Sequence, residues 1–217
     1  MSMPTDLLHE YLKSRDSGLA QALLEGAPGR LLDLGSGSGE DLRTLRLRGW
    51  DAIGLEPFQR VPGIRTVCGI AERLPFRDTS FDAVTCVLVL PHLESAVEAL
   101  QEAFRVLRRG GQALFVVFSK SPLNVRIAIS EYRLSRNGGS VHTRLFSARA
   151  LSRLVRSAGF NEVAQFRTDF LPWMSEHLFP KDSRKRVFML LGNLDATLSR
   201  TPARLIARKL VLRAVRP

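Results

Sequence analysis

The apolar run Arg30-Leu31-Leu32-Asp33-Leu34 leads straight into Gly35-Ser36-Gly37-Ser38-Gly39, and a helical segment then runs from Glu40 to Arg48 before Gly49 stops it. This strand, glycine turn and helix narrow the fold more than any other feature. Glycine reaches backbone angles that other residues avoid, and its missing side chain lets a ligand lie against the main chain. In a parallel sheet such a turn stands at the carboxyl end, where ligands bind. The rhythm then repeats. Ala52–Glu56 reads as a second strand closed by Pro57, Ile64–Cys68 as a third, Phe81–Leu90 as the central fourth and Gln112–Phe118 as a fifth. A helix over Glu94–Leu107 turns Ala96, Val97, Leu100, Phe104 and Leu107 to one side, and Gly110-Gly111 breaks it. Strands and helices alternating at this spacing predict an α/β fold, a doubly wound parallel sheet with right-handed crossovers and helices on both faces.

The remaining segments read less regularly. Thr5 and Asp6 cap a predicted helix to about Leu24, Ser147 caps one to Ser157, and Glu162–Thr168 is a strand. Ser183–Ser199 is an amphipathic helix, and Leu205–Val215 is strand or helix. With 217 residues, 45% apolar and 24% charged, the chain has the balance of a globular protein. That balance excludes wholesale disorder, a collagen-like fibre and a polytopic membrane protein. No apolar run is long enough to span a bilayer. Met1–Glu10 does not look like a signal peptide, so a cytoplasmic location is expected. Cys68 and Cys86 lie in apolar runs and read as buried thiols, not as a disulfide or metal framework.

The chemistry around the glycine turn selects its ligand. The Gly-Lys-Ser/Thr ending of a phosphate loop is absent, and Glu40 stands where a dinucleotide fingerprint needs its third glycine. Asp33, Glu40 and Asp41 surround the turn, and they would repel a pyrophosphate. They would not repel S-adenosylmethionine, which carries a sulfonium, an ammonium, a carboxylate and a ribose. Glu56, 21 residues after Gly35, ends the second strand, where a carboxylate can accept both hydrogen bonds of a ribose diol. The plainer alternative is a sharp turn and a strand end with no ligand.

Leu31 to Gly39 resembles the first motif of class I S-adenosylmethionine-dependent methyltransferases. Ala71-Glu72-Arg73-Leu74-Pro75-Phe76 with Ser80-Phe81-Asp82-Ala83-Val84, and Phe104 to Gly111, are similar to motifs of that family's small-molecule and quinone-methylase branch. The likeness is close over Arg30–Phe118 and returns weakly at Phe146–Phe160. It implies a Rossmann-like seven-stranded sheet of order 3-2-1-4-5-7-6 with its last strand antiparallel, Glu162–Thr168 being the sixth strand and Leu205–Val215 the seventh. It implies one methyltransferase domain over residues 1–217: a helical cap at 1–29, a cofactor core at 30–118, and substrate-side insertions at 119–146 and 170–204, with a basic lid after strand five. It also implies that Asp33, Gly35, Ser36, Gly37 and Gly39 hold the methionine end of the cofactor, and Glu56 and Pro57 the ribose. Ala71 and Glu72 would lie by the adenine, and Val87 and Leu88 would border the methyl group. The family often has an acidic or amide residue just before Ala-Glu; here it is Ile70, which puts the adenine contacts in question.

Methyl transfer is an in-line displacement at a cationic sulfur, and aligning the partners can supply about 7–11 kcal/mol. A base is needed only where the acceptor must lose a proton. His92, in Leu90-Pro91-His92-Leu93 after the central strand, is the candidate, with helix capping or packing as the equal alternative. His9, His142 and His177 read as surface residues, and Tyr132 as a lid or loop residue. The Asn/Asp-Pro-Pro-aromatic motif of base-amino methylases is absent, and Cys86 sits in a strand and not in a nucleophile loop. No metal set is apparent.

Charge points to the acceptor. The net charge is +11, yet residues 1–118 hold 13 basic and 15 acidic side chains, while residues 119–217 hold 19 basic and 6 acidic. Ser119–Phe146 sets Lys120, Arg126, Arg133, Arg136 and Arg144 against Glu131 alone. A basic half suits a small anionic acceptor, a peripheral contact with an anionic membrane that delivers a lipid-like acceptor, or an RNA backbone. Sparse aromatics in this half disfavour the RNA reading. The expected function is methyl transfer to a small molecule; an RNA methyltransferase or RNA binder, and a non-catalytic cofactor-binding partner, stay open beside it.

Overall fold

The run at Arg30–Leu34 forms strand β1, and both of its faces are covered. Leu31 packs with Leu42, Leu45, Trp50, Ala52 and Ala83 on one side of the sheet. Leu32 and Leu34 join the larger apolar cluster on the other. Successive side chains of a strand point to opposite faces, so a near-continuous apolar run is what a strand buried on both sides requires. In this computed structural model residues 24–58, 63–122, 124–125, 144–168 and 207–217 are described. The predicted helices before Leu24 and at Ser183–Ser199, most of the Ser119–Phe146 insertion and the 170–204 insertion lie outside them, as do His9, Tyr132, His142 and His177.

The further elements are α1 (Glu40–Leu47), β2 (Asp51–Glu56), β3 (Thr66–Cys68), β4 (Phe81–Val87), a 3-10 turn (Leu90–His92), α2 (Ala96–Val106), β5 (Leu107–Phe118), α3 (Ala148–Ser157), β6 (Asn161–Thr168) and β7 (Lys209–Val215). They build one sheet of order β3-β2-β1-β4-β5-β7-β6, as the resemblance implied. β1 pairs in parallel with β2 and β4, and β4 with β5. β7 is antiparallel to both β5 and β6. Ser95 and Ser147 cap α2 and α3, their hydroxyls accepting from the N–H groups of Glu98 and Ala150.

Four details differ from the sequence reading. The helix before β5 ends at Val106, and β5 starts at Leu107, so Gly110-Gly111 lies within a strand instead of breaking a helix. Arg216 supplies the stop: its Nη1 donates to the carbonyls of Phe104, Arg105 and Leu107, which the end of α2 leaves without helical partners. Val97 is exposed, and α2 meets the sheet through Ala96, Ala99, Leu100, Ala103 and Val106, mostly small residues that allow a close approach. β4 stops at Val87, and Pro91 lies in the 3-10 turn that follows. Cys68 is exposed because β3 is a short edge strand with a neighbour on one side only; Cys86 is buried in β4.

Candidate cofactor and active site

The glycine turn joins β1 to α1 at the carboxyl ends of β1, β2 and β4. Gly35, Gly37 and Gly39 all have positive φ, at 69°, 50° and 76°. The N–H groups of Gly35 and Ser36 both donate to the Leu55 carbonyl, at 2.8 and 3.1 Å, and fasten the turn to β2. Space is as restrictive as conformation. A Cβ at Gly35 would stand 2.3 Å from Val89 Cγ2, and one at Gly39 2.3 Å from Ile64 Cδ1. Gly54, inside β2, is equally constrained: a Cβ there would stand 2.3 Å from Ser36 Oγ and 2.6 Å from Leu42 Cδ1. Gly54 is what lets the turn lie down on its neighbouring strand.

The turn is lined with acid. Asp33 is 3% exposed and accepts a 2.8 Å hydrogen bond from Thr85 Oγ1. Burial, then the nearby Asp41 charge, push its carboxyl up to about 8; the Thr85 bond opposes this and the Glu56 charge adds to it. Glu56 is half-buried, and its Oε2 accepts the Gly37 N–H at 3.0 Å. Glu40 and Asp41 form the first turn of α1, where carboxylates complement the helix dipole.

The other predicted residues fall at the rim or in its supports. Pro57 is exposed, and its carbonyl accepts from Cys68 Sγ. Ala71 is buried in the large cluster. Glu72 Oε1 accepts the Glu94 N–H at 3.1 Å, so this carboxylate braces the chain before α2. Val87 and Leu88 are half-buried beyond the sheet centre, and Leu88 has φ 58°, unusual for a leucine, with its N–H bonded to the Val116 carbonyl at 2.8 Å. His92 is exposed on the 3-10 turn, its N–H bonded to the Val89 carbonyl at 2.9 Å. Ile70 is half-exposed.

Three contributors escaped the sequence reading. Thr85 was visible only as a polar residue inside an apolar strand. Val89 covers Gly35. Arg105 ties the Ala71–Phe76 segment to α2: it donates to the Phe76 and Leu74 carbonyls and to Glu102 and Asp78, while Glu102 Oε2 accepts the Leu74 N–H at 2.7 Å.

A family model described as a methyltransferase domain matches residues 8–165. The chain belongs to this methyltransferase family. It is 39% identical over 108 residues to a demethylmenaquinone methyltransferase of Beutenbergia cavernae, covering 46% of this chain and 45% of that one. It is 43% identical over 67 residues to the mitochondrial 2-methoxy-6-polyprenyl-1,4-benzoquinol methylase of Danio rerio, covering 30% of this chain and 20% of that one. The match thus spans less than half the length of either relative. A solved S-adenosylmethionine-dependent methyltransferase of Thermotoga maritima, described as a possible histamine N-methyltransferase, shares the fold with a TM-score of 0.68 and 22% identity, over 97% of this chain and 92% of that one.

The cofactor of this methyltransferase is S-adenosylmethionine, and the residues at the turn suit it. Asp41 and Glu56 place carboxylates beside the turn, and Asp33, protonated in the empty site, ionises when a cation approaches; an ammonium and a sulfonium suit such a lining. Ser36 Oγ, buried with no hydrogen-bond partner among the described residues, lies beneath the turn against Gly54.

Proposed function

We propose that this methyltransferase methylates a small, lipid-like acceptor of the hydroquinone type, with His92 taking the proton that leaves the acceptor. The carrying observation is the acid-lined turn, in which Asp33 and Glu56 flank Gly35–Gly39. When bound there, S-adenosylmethionine supplies a methyl group on a positively charged sulfur. Asp33 and Glu56 bind and orient by charge and by hydrogen bonds. Val87, Leu88 and Val89 present aliphatic side chains at the end of β4, which exclude water and suit an apolar ring. The unusual Leu88 backbone, held by Val116, is the kind of strain that persists where geometry matters for function. The hydroquinone class is supported by the two relatives, both named for quinone-type acceptors.

The test is direct. The purified protein is titrated with S-adenosylmethionine in a calorimeter, then incubated with labelled cofactor and a panel of short-chain hydroquinones. Saturable cofactor binding with label transferred to a hydroquinone is expected. Binding without transfer to any hydroquinone, while label passes to added RNA, would move the acceptor to nucleic acid.

A further inference from the structure

Helix α3 carries a feature that the cofactor site does not use. Arg149, Arg153 and Arg156 are all exposed and lie at helical spacing of four and three, so they share one face. With Ala148, Ser152 and Gln165 they line an open groove of about 450 Å³ between α3 and β6. Arg156 pairs with Glu162 at 3.1 Å. Arg149 and Arg153 have no carboxylate partner among the described residues.

The groove lies at the β6 edge of the sheet, with β5 and β7 between it and β4, and the chain that enters α3 comes from the carboxyl end of the sheet. Phe146, just before α3, bridges in parallel to Ser119 at the end of β5, and the Arg144 N–H donates to the Pro91 carbonyl at 3.1 Å. The segment that leads into α3 therefore touches the turn that bears His92, and Arg149 stands in the first turn of the helix that follows.

We infer that this groove docks the enzyme onto an anionic bilayer, seating phospholipid phosphate groups against Arg149 and Arg153. The inference rests on the lipid-like acceptor proposed above. Charge complementarity carries it: two exposed guanidiniums with no counter-charge among the described residues match closely spaced phosphate groups. Single-stranded RNA fits less well, because among the described residues this face exposes no aromatic ring; Phe146 and Phe160 are buried and Phe166 is half-buried.

The experiment is vesicle flotation of the full chain with phosphatidylglycerol/phosphatidylcholine vesicles and with pure phosphatidylcholine vesicles. The wild type should float with the anionic vesicles only. Arg149→Gln/Arg153→Gln should bind about 30-fold more weakly, about fivefold for each arginine near an anionic surface. Arg149→Lys/Arg153→Lys should keep most of the binding. Cofactor calorimetry on each variant shows that the fold is intact. Equal flotation of the glutamine variant and the wild type overturns the inference, as does equal flotation on neutral lipid. Salt-sensitive retention of a homopolymer RNA by these arginines, without vesicle binding, overturns it in favour of RNA. Methylation of a hydroquinone in detergent by a protein that ignores vesicles sinks the docking alone. Vesicle binding with no hydroquinone methylated sinks the acceptor assignment instead.

Discussion

The Glu56 carboxylate accepts the Gly37 N–H through Oε2 at 3.0 Å, so the residue proposed to grip a ribose also holds the middle of the glycine turn. Removing the side chain therefore removes two functions. Glu56→Ala should weaken S-adenosylmethionine binding by about 100-fold or more, since hydrogen bonds to a charged group contribute about 1.5–3 kcal/mol each. Glu56→Gln keeps an oxygen for Gly37 but loses the charge, and about a tenfold loss is expected. Calorimetric titration of both variants separates the two functions; equal affinity in all three proteins would show that the sugar is held elsewhere.

Asp33 makes the site sensitive to pH. Its folded carboxyl is raised from 3.8 to about 8, so between those values the empty folded state holds a proton that the unfolded chain has released. Stability of the empty protein should therefore fall as pH rises from about 4 to about 8. A cofactor ammonium favours the ionised form, so cofactor binding should release a proton and tighten with pH across the same window. Titrations in buffers of different ionisation enthalpy count that proton. Asp33→Asn should raise the melting temperature at neutral pH, weaken cofactor binding and abolish the proton release. A variant that melts lower at neutral pH and still releases the proton would contradict this account.

The local features of the fold were legible because their causes are local. β1, its glycine turn and the start of α1 fall where the apolar run, the glycines and the Glu40-Asp41 pair place them. Strand order was not readable from spacing and came through the motif resemblance. The misreadings share one cause, a distant partner. Cys68 is exposed because β3 is an edge, Val97 because α2 docks through alanines, and Gly110-Gly111 is strand because β5 already starts at Leu107, where Arg216, 110 residues beyond Val106, caps the end of α2. Within the site the acids were evident from sequence, whereas Thr85 and Gly54 matter only once β4 and β2 lie on either side of β1.

Gly54 tests whether packing beneath the turn controls cofactor binding. A methyl group there meets Ser36 Oγ and Leu42 Cδ1 well inside contact distance, and both belong to buried residues. Gly54→Ala should lower stability by about 1–3 kcal/mol, as overpacking does. The turn should lift from β2, with a loss of cofactor affinity relative to the wild type. Thermal melts with and without cofactor report both effects, and wild-type behaviour of Gly54→Ala would remove the constraint.

His92 is exposed on a turn fixed by its own N–H bond to Val89, so its side chain can be changed without disturbing the core. As the base it would act only when the acceptor sheds a proton, and general-base catalysis typically contributes about 10²–10⁴-fold. His92→Ala should lower kcat within that range, leave cofactor affinity unchanged and remove the fall in rate on acidification that a histidine base produces. A packing residue behaves differently: the melting temperature or cofactor affinity would shift while the shape of the pH–rate profile stayed the same. His92→Gln, which keeps much of the volume without a basic nitrogen, sharpens the distinction, because it should match alanine if the role is proton transfer and the wild type if the role is packing.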